Sequence, residues 1–171
     1  MLFSIQICVT MYKVKKDIDT SCCVDIVGLP PFMLYVAEIL VRNNCNIRII
    51  DKGYVTKRDL KQSTLFTHDH IGSPKAIVAK KELKKINKKP VIKGFHEELD
   101  TTTVYLLSSD VVINATLNSD ITTLFPSSTL HINTDLTVES KEIQYKEKKS
   151  VSVKTYFSAI GNIIDNVYNT L

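Results

Sequence analysis

Short apolar runs punctuate the first two thirds of the chain: Val24 to Gly28, Asn46 to Ile50, Pro90 to Phe95 and Asp110 to Thr116. The last is uninterrupted in its middle, Val111-Val112-Ile113, as a strand covered on both faces of a parallel sheet should be. Between the runs the period changes. From Phe32 to Asn43 the residues Met33, Val36, Ala37, Ile39, Leu40 and Val41 cover most of a helix, and Asn43-Asn44 supplies a stop. From Pro74 to Asn87, Ala76, Ala79, Leu83 and Ile86 recur at helical spacing, with lysines on the opposite side. Strands alternating with helices predict an α/β fold, a Rossmann-like and mostly parallel sheet flanked by helices.

The later chain changes character. His96 to Leu107 reads as a short helix, with Asp100 and the following threonines capping or interrupting it, and Thr129 to Asn133 reads as a further strand. Val138 to Tyr145 and Val151 to Phe157 flank the polar turn Lys146-Glu147-Lys148-Lys149-Ser150, which predicts a β-hairpin near the C-terminus. Ser158 to Leu171 closes the chain as a helix. A length of 171 residues holds one domain with a sizeable core. We place that domain at 21–171, with residues 1–20 as a leader or edge strand. The apolar run Leu2 to Val9 has no basic residue before it and no small-residue cleavage site after it, and it is too short to span a membrane.

Hydrophobic residues at 44% and charged residues at 23% are ordinary globular values, so composition alone selects no function. The net charge of +4 is mild and local, concentrated in Lys80, Lys81, Lys84, Lys85, Lys88, Lys89 and Lys93. That run has no arginine and no interleaved aromatic residue, which argues against a nucleic-acid partner. Cys8, Cys22, Cys23 and Cys45 show no zinc-ligand spacing and read as reduced thiols of the nucleus or cytoplasm. Cys22 and Cys23 are adjacent and cannot readily close on each other.

Candidate chemistry gathers at the ends of the first two strands. Gly28 ends the first, where a nucleotide-binding unit would continue with glycines whose backbone approaches phosphate. Here the chain reads Gly28-Leu29-Pro30-Pro31-Phe32-Met33. Proline has no N–H, so two donors are gone, and Pro30 pushes Leu29 out of the helical region. The second strand delivers Asp51 to its carboxyl end. There it can accept hydrogen bonds from ribose hydroxyls or be satisfied by turn amides. A polar segment without regular period follows, and then a helix start: Gly72 for the turn, Ser73 as cap, Pro74 at the first helical position, Lys75 next. Lys75 is either a phosphate contact or one more lysine of a solvated face.

The arrangement Asp51, Val55, Asp59-Leu60, Leu65 and Ile71-Gly72-x-Pro74-Lys75-Ala76 resembles the adenylation fold of the ubiquitin-activating type, the superfamily of ThiF- and MoeB-like adenylyltransferases. The run Val55-Thr56-x-x-Asp59-Leu60 is most similar to the non-catalytic adenylation half of eukaryotic activating enzymes, the SUMO-activating kind in particular. The resemblance extends from about Val24 to Leu171. It implies a nucleotide site at Gly28, Asp51 and Lys75, and the departures imply that this site is vestigial. The family's second acid is here Gly53, its asparagine, arginine and glutamine align with Asp59, Gln62 and Ser63, and its magnesium-holding aspartate is Leu117. The large insertion carrying the thioester cysteine, the ubiquitin-fold domain and the amino-terminal helix with its trans arginine have no counterpart. Lys13, Lys15 and Lys16 are either a stand-in for that arginine or a solvated leader.

The resemblance therefore implies a non-catalytic subunit of a heterodimeric activating enzyme for a ubiquitin-like modifier. ATP and magnesium are expected on a separate catalytic partner subunit, with no catalytic residue, metal site or cofactor in this chain. Two alternatives are a stand-alone ATP-dependent adenylyltransferase of a small sulfur-carrier or ubiquitin-like protein, and a degenerate structural protein with no activating partner. A nicotinamide-dependent dehydrogenase meets the same obstacle as the adenylyltransferase, because a pyrophosphate needs the same loop donors.

Overall fold

The computed structural model describes residues 23–109, 111–116, 129–132, 138–139 and 161–167, and of the segments 129–132 and 138–139 the backbone alone. Its strands are Cys23–Val27 (β1), Asn46–Ile50 (β2), Ile92–Phe95 (β3), Val111–Asn114 (β4), Thr129–Ile132 (β5) and Val138–Glu139 (β6). They form one sheet in the order β3-β2-β1-β4-β5-β6, parallel throughout except for the last pair. The predicted Rossmann-like α/β fold is therefore present. Of the predicted hairpin only β6 lies within the described residues, where it runs antiparallel to β5. Its return strand, the leader 1–20, Leu117 and the start of the closing helix lie outside them.

Three helices stand between the first three strands: Pro31–Arg42 (α1), Lys57–Gln62 (α2) and Lys75–Ile86 (α3). Right-handed crossovers that move in one direction along a sheet place their helices on one face. That face carries the main core. Val24 and Ile26 of β1, Ile47 and Ile49 of β2, and Val111 and Ile113 of β4 meet Met33, Ala37 and Leu40 of α1 and Ala76, Ala79 and Leu83 of α3. Ile163, Ile164 and Val167 of the helical segment 161–167 (α4) join the same cluster. Among the described residues no helix is long and apolar enough to cross a membrane.

Alternation along the strands sends the intervening residues to the second face, and among the described residues no α-helix stands between β3 and β4 to cover it. Residues 96–109 cross it as a strap, in which Leu99, Leu106 and Leu107 lie over Val27, Ile50 and Val112. The helix expected over His96 to Leu107 is reduced to a 3₁₀ turn at Val104–Leu106. Asp100 explains the difference, because its Oδ1 accepts from the backbone N–H groups of Thr102 and Thr103, at 2.7 and 3.0 Å. A side chain that binds its neighbours' amides competes with the helix for them.

The second face also buries a charge. Asp25, in the middle of β1, is fully buried, and β1 pairs with β2 so that Asp25 stands beside Arg48. Arg48 Nε and Nη2 donate to Asp25 Oδ1 and Oδ2 at 2.6 and 2.7 Å, a bidentate pair. The strap supplies the remaining donors. Ser109 Oγ donates to Oδ1 at 2.7 Å, and the N–H groups of Ser108 and Ser109 donate to Oδ2 at 3.0 and 3.2 Å. Arg48 is held in turn by the hydroxyls of both serines.

The cysteines correct the expectation of reduced thiols in part. Cys23 is free, whereas Cys45, fully buried just before β2, is disulfide-bonded. Spacing along a chain does not reveal which Cβ atoms face each other in the fold.

Breaking a buried ion pair from one side leaves an uncompensated charge, at a cost of about 3–5 kcal/mol. Arg48→Met is expected to lower the unfolding free energy by that order in urea denaturation. The double variant Asp25→Val/Arg48→Met is expected to recover most of the loss. Equal instability of the single and double variants would contradict this account of the pair.

Candidate functional site

Strand order reverses at β1, where β2 lies on one side and β4 on the other, and open α/β sheets bind ligands outside the carboxyl ends of the strands at such a point. A cleft of about 610 Å³ opens there, lined among others by Gly28, Leu29, Asp51, Gly53, Lys75 and Thr116. The three residues singled out in the sequence, Gly28, Asp51 and Lys75, thus meet in one place.

Gly28 is required by its backbone. Its φ is +83°, and an added Cβ would stand 3.0 Å from the carbonyl carbon and oxygen of Ala115. This close approach sets the end of β1 against the residue that follows β4.

The loop after β1 offers little to an anion. The Gly28 N–H donates to Ile50 O at 2.9 Å, and the Leu29 N–H to Asp51 Oδ2 at 2.6 Å. Pro30, with φ −63° and ψ 157°, and Pro31 carry no N–H, and the Met33 N–H turns back to Pro30 O at 2.9 Å. Proline suits the first turn of α1 sterically, so the helix forms even though the phosphate donors are gone.

Asp51 accepts turn amides, one of the two roles expected for it. Its Oδ2 accepts from Leu29, and its Oδ1 accepts from the Gly53 N–H at 2.6 Å. The carboxylate ties the loop after β1 to the loop after β2. It retains acceptor capacity, since two oxygens offer about four lone-pair positions.

Lys75 departs from the reading of one more solvated lysine. Its Nζ donates to Asp59 Oδ1 at 2.8 Å, and the two side chains are only 16% and 5% exposed. Asp59 belongs to α2, a helix in the segment where the sequence shows no regular period. Its Oδ2 accepts from the Thr56 N–H and hydroxyl at 2.8 and 2.6 Å, which makes it the third residue of a capping box. The Thr56-x-x-Asp59 spacing was the available signal for this helix. Burial pushes the Asp59 carboxyl up, but the Lys75 ammonium together with the Thr56 hydroxyl and amide outweighs it and holds the group below the usual aspartate range.

The segment between β2 and α3 closes on itself. Lys75 N–H donates to Gly53 O, Val55 N–H to Ser73 O and Gly72 N–H to Val55 O, each at 2.9 Å, making a neck above which Val55 and Phe66 are buried. α3 begins one residue later than expected, with Pro74 in the capping position. Gln62, aligned with the family's arginine, is exposed at the end of α2 and does not line the cleft.

The cations of the lining are paired, Lys75 with Asp59 and Lys52 with Glu98 at 2.5 Å on the rim. Asp51, Glu97 and Glu98 add negative charge to the lining. Among the described residues no group of three or more His, Cys, Asp or Glu side chains is placed to hold a metal.

The ThiF family profile matches residues 32–136. Among solved structures, the E. coli tRNA N6-threonylcarbamoyladenosine dehydratase TcdA in complex with ATP is 19% identical, with a TM-score of 0.52 over 65% of this chain and 44% of that one. E. coli MccB with AMPCPP and MccA is 16% identical, with a TM-score of 0.69 over 89% of this chain and 57% of that one. PaaA is likewise 16% identical, with a TM-score of 0.69 over 88% and 56%. The chain thus spans about half the length of these structures. A comparison with curated proteins finds no match.

The Asp59–Lys75 pair makes stability depend on pH. The folded carboxyl titrates below its unfolded counterpart, so its contribution is complete above the ordinary aspartate range and is lost as pH falls through the lower folded value. Asp59→Asn is expected to cost about 1.5–3 kcal/mol at neutral pH, the usual worth of a charge-assisted bond. In urea titrations at stepped pH the gap from the unsubstituted protein should close in acid. A gap independent of pH would contradict the assignment.

Proposed function

The chain belongs to the ThiF family, and on that premise we propose that it is a non-catalytic adenylation-fold subunit, which scaffolds a separate catalytic subunit in activating a ubiquitin-like modifier. The observation that carries the reading is the loop after β1. Gly28, Leu29 and Met33 direct their N–H groups inward, and Pro30 and Pro31 have none to offer. Adenylation needs a nucleotide held by its phosphates, so on this reading ATP and magnesium are the partner's. SUMO is the modifier we favour, on the similarity of Val55-Thr56-x-x-Asp59-Leu60 to the SUMO-activating kind.

A scaffold acts through its surface. The strap across the second face exposes Tyr105 by 74%, the type of aromatic residue that anchors protein interfaces. A second reading, a stand-alone adenylyltransferase of a small carrier protein, draws on the cleft itself, which still gathers Gly28, Asp51 and Lys75 at the switch point.

Purified chain titrated with ATP and magnesium is expected to show no binding tighter than about 1 mM by calorimetry. Tagged chain recovered from its own cells is expected to bring with it an activating-enzyme subunit that has its own glycine loop and thioester cysteine. Micromolar ATP binding by the isolated chain would overturn the scaffold reading in favour of the adenylyltransferase. Absence of both ATP binding and an activating partner would leave a degenerate structural protein.

A further inference from the structure

The chain uses one spacing twice. Thr56-x-x-Asp59 caps α2, and Thr67-x-x-His70 closes the 3₁₀ turn His68–His70 in the loop before α3. In both, the last residue of the pattern brings its side chain back to the N–H of the threonine. Asp59 Oδ2 accepts from the Thr56 N–H at 2.8 Å, and His70 Nδ1 accepts from the Thr67 N–H at 3.1 Å. An amide N–H can only donate, so Nδ1 is unprotonated and the neutral ring carries its proton on Nε2. The two acceptors respond differently to acid. A carboxylate keeps its lone pairs near neutral pH, whereas an imidazole gives this one up when it takes a proton.

The other side of the ring faces α3. His70 Nε2 lies 3.6 Å from Glu82 Oε1, at ion-pair distance, and the two side chains are 18% and 14% exposed. Lys85 Nζ holds the same carboxylate at 2.7 and 2.8 Å, so its negative charge is already shared. Within the turn itself, His68 and Asp69 are exposed. The buried Phe66 ring meets His70 edge to face, with 6.4 Å between centroids. Beyond the turn, the Ser73 N–H donates to His70 O at 3.0 Å, and the Gly72 N–H to Val55 O joins the loop to the neck.

We propose that His70 is a proton-operated clasp on the loop before α3: neutral, it caps the turn through Thr67; protonated, it gives up that cap and closes on Glu82. The contacts set both halves of the change. A proton on Nδ1 turns two N–H groups against each other at 3.1 Å and leaves the Thr67 amide without its acceptor. The Thr67 hydroxyl, 3.3 Å from Nδ1, then becomes the acceptor for the new N–H. At the same time the imidazolium gains an attraction to Glu82 that the neutral ring lacks. The ring therefore stays on α3 while its bond to the backbone goes, and the loop from Phe66 to Gly72 is firmer above neutral pH than below it. His70 does not line the cleft, so failure of the clasp would leave the scaffold reading untouched.

The test is NMR on the full chain labelled with nitrogen-15. At about pH 8 the His70 ring is expected as the neutral Nε2–H tautomer, with the Thr67 amide protected from exchange. Lowering the pH to about 5.5 charges a free imidazole. Thr67 protection, corrected for the intrinsic exchange rate, is then expected to fall about fivefold, the worth of one ordinary hydrogen bond, with Ile49 of β2 unchanged. His70→Asn offers a carbonyl oxygen in place of Nδ1 and does not titrate, so it is expected to keep Thr67 protected at both pH values. His70→Ala, with no acceptor, is expected to leave Thr67 unprotected at both. An Nδ1–H tautomer at the higher pH overturns the proposal. So does Thr67 protection that ignores pH in the unsubstituted chain, an equal fall in the Asn variant, or a protected Thr67 in the Ala variant.

Discussion

A fully buried carboxylate at the centre of a sheet has to be matched, and the pairing of Asp25 with Arg48 constrains much of what surrounds it. Slipping β1 against β2 by one residue would turn the aspartate into the helix-covered face and leave the guanidinium opposite aliphatic side chains. The pair therefore pins the register. Its remaining hydrogen bonds fix the strap, because Ser108 and Ser109 must reach Asp25 just before the chain turns into β4. Entry beside β1 then brings Ala115 against Gly28 at the far end of the same strands, where the cleft opens.

Three aspartates placed by β1, β2 and α2 show how environment divides one chemistry. Asp25, with two charge-assisted bonds and three further donors, is structural. Asp51 accepts two backbone amides and joins two loops. Asp59 pairs with Lys75 at the cleft. A phosphate site depends on donors that are held in place yet unsatisfied until the ligand arrives. In this cleft the comparable groups are satisfied from within, which supports the proposed non-catalytic reading.

Much of this was legible in the sequence. The alternation of short apolar runs with helical periods gave the Rossmann-like order, and Pro30-Pro31 announced the loss of donors, because both depend on local chemistry alone. The Asp25–Arg48 pair was not read, although each residue is the lone charge at the third position of a five-residue apolar strand. Recognising it needs the register between strands, which is a property of the fold. Lys75 looked like its lysine-rich neighbours because its partner, Asp59, lies 16 residues away across a closed loop. The helix expected after β3 failed on competition, since Asp100 gives local amides a nearer acceptor than the helix would.

The electrostatics of the chain point outward. Lys52 and Lys75, the lysines lining the cleft, are each paired with a carboxylate, whereas Lys80, Lys81, Lys88, Lys89 and Lys93 have no ion pair among the described residues. Solvated like charges repel one another and gain nothing for the fold. An enzyme acting on a nucleotide concentrates free cations in its cleft, where low dielectric makes them effective. Here the unpaired lysines stand on α3, in the turn after it and on β3.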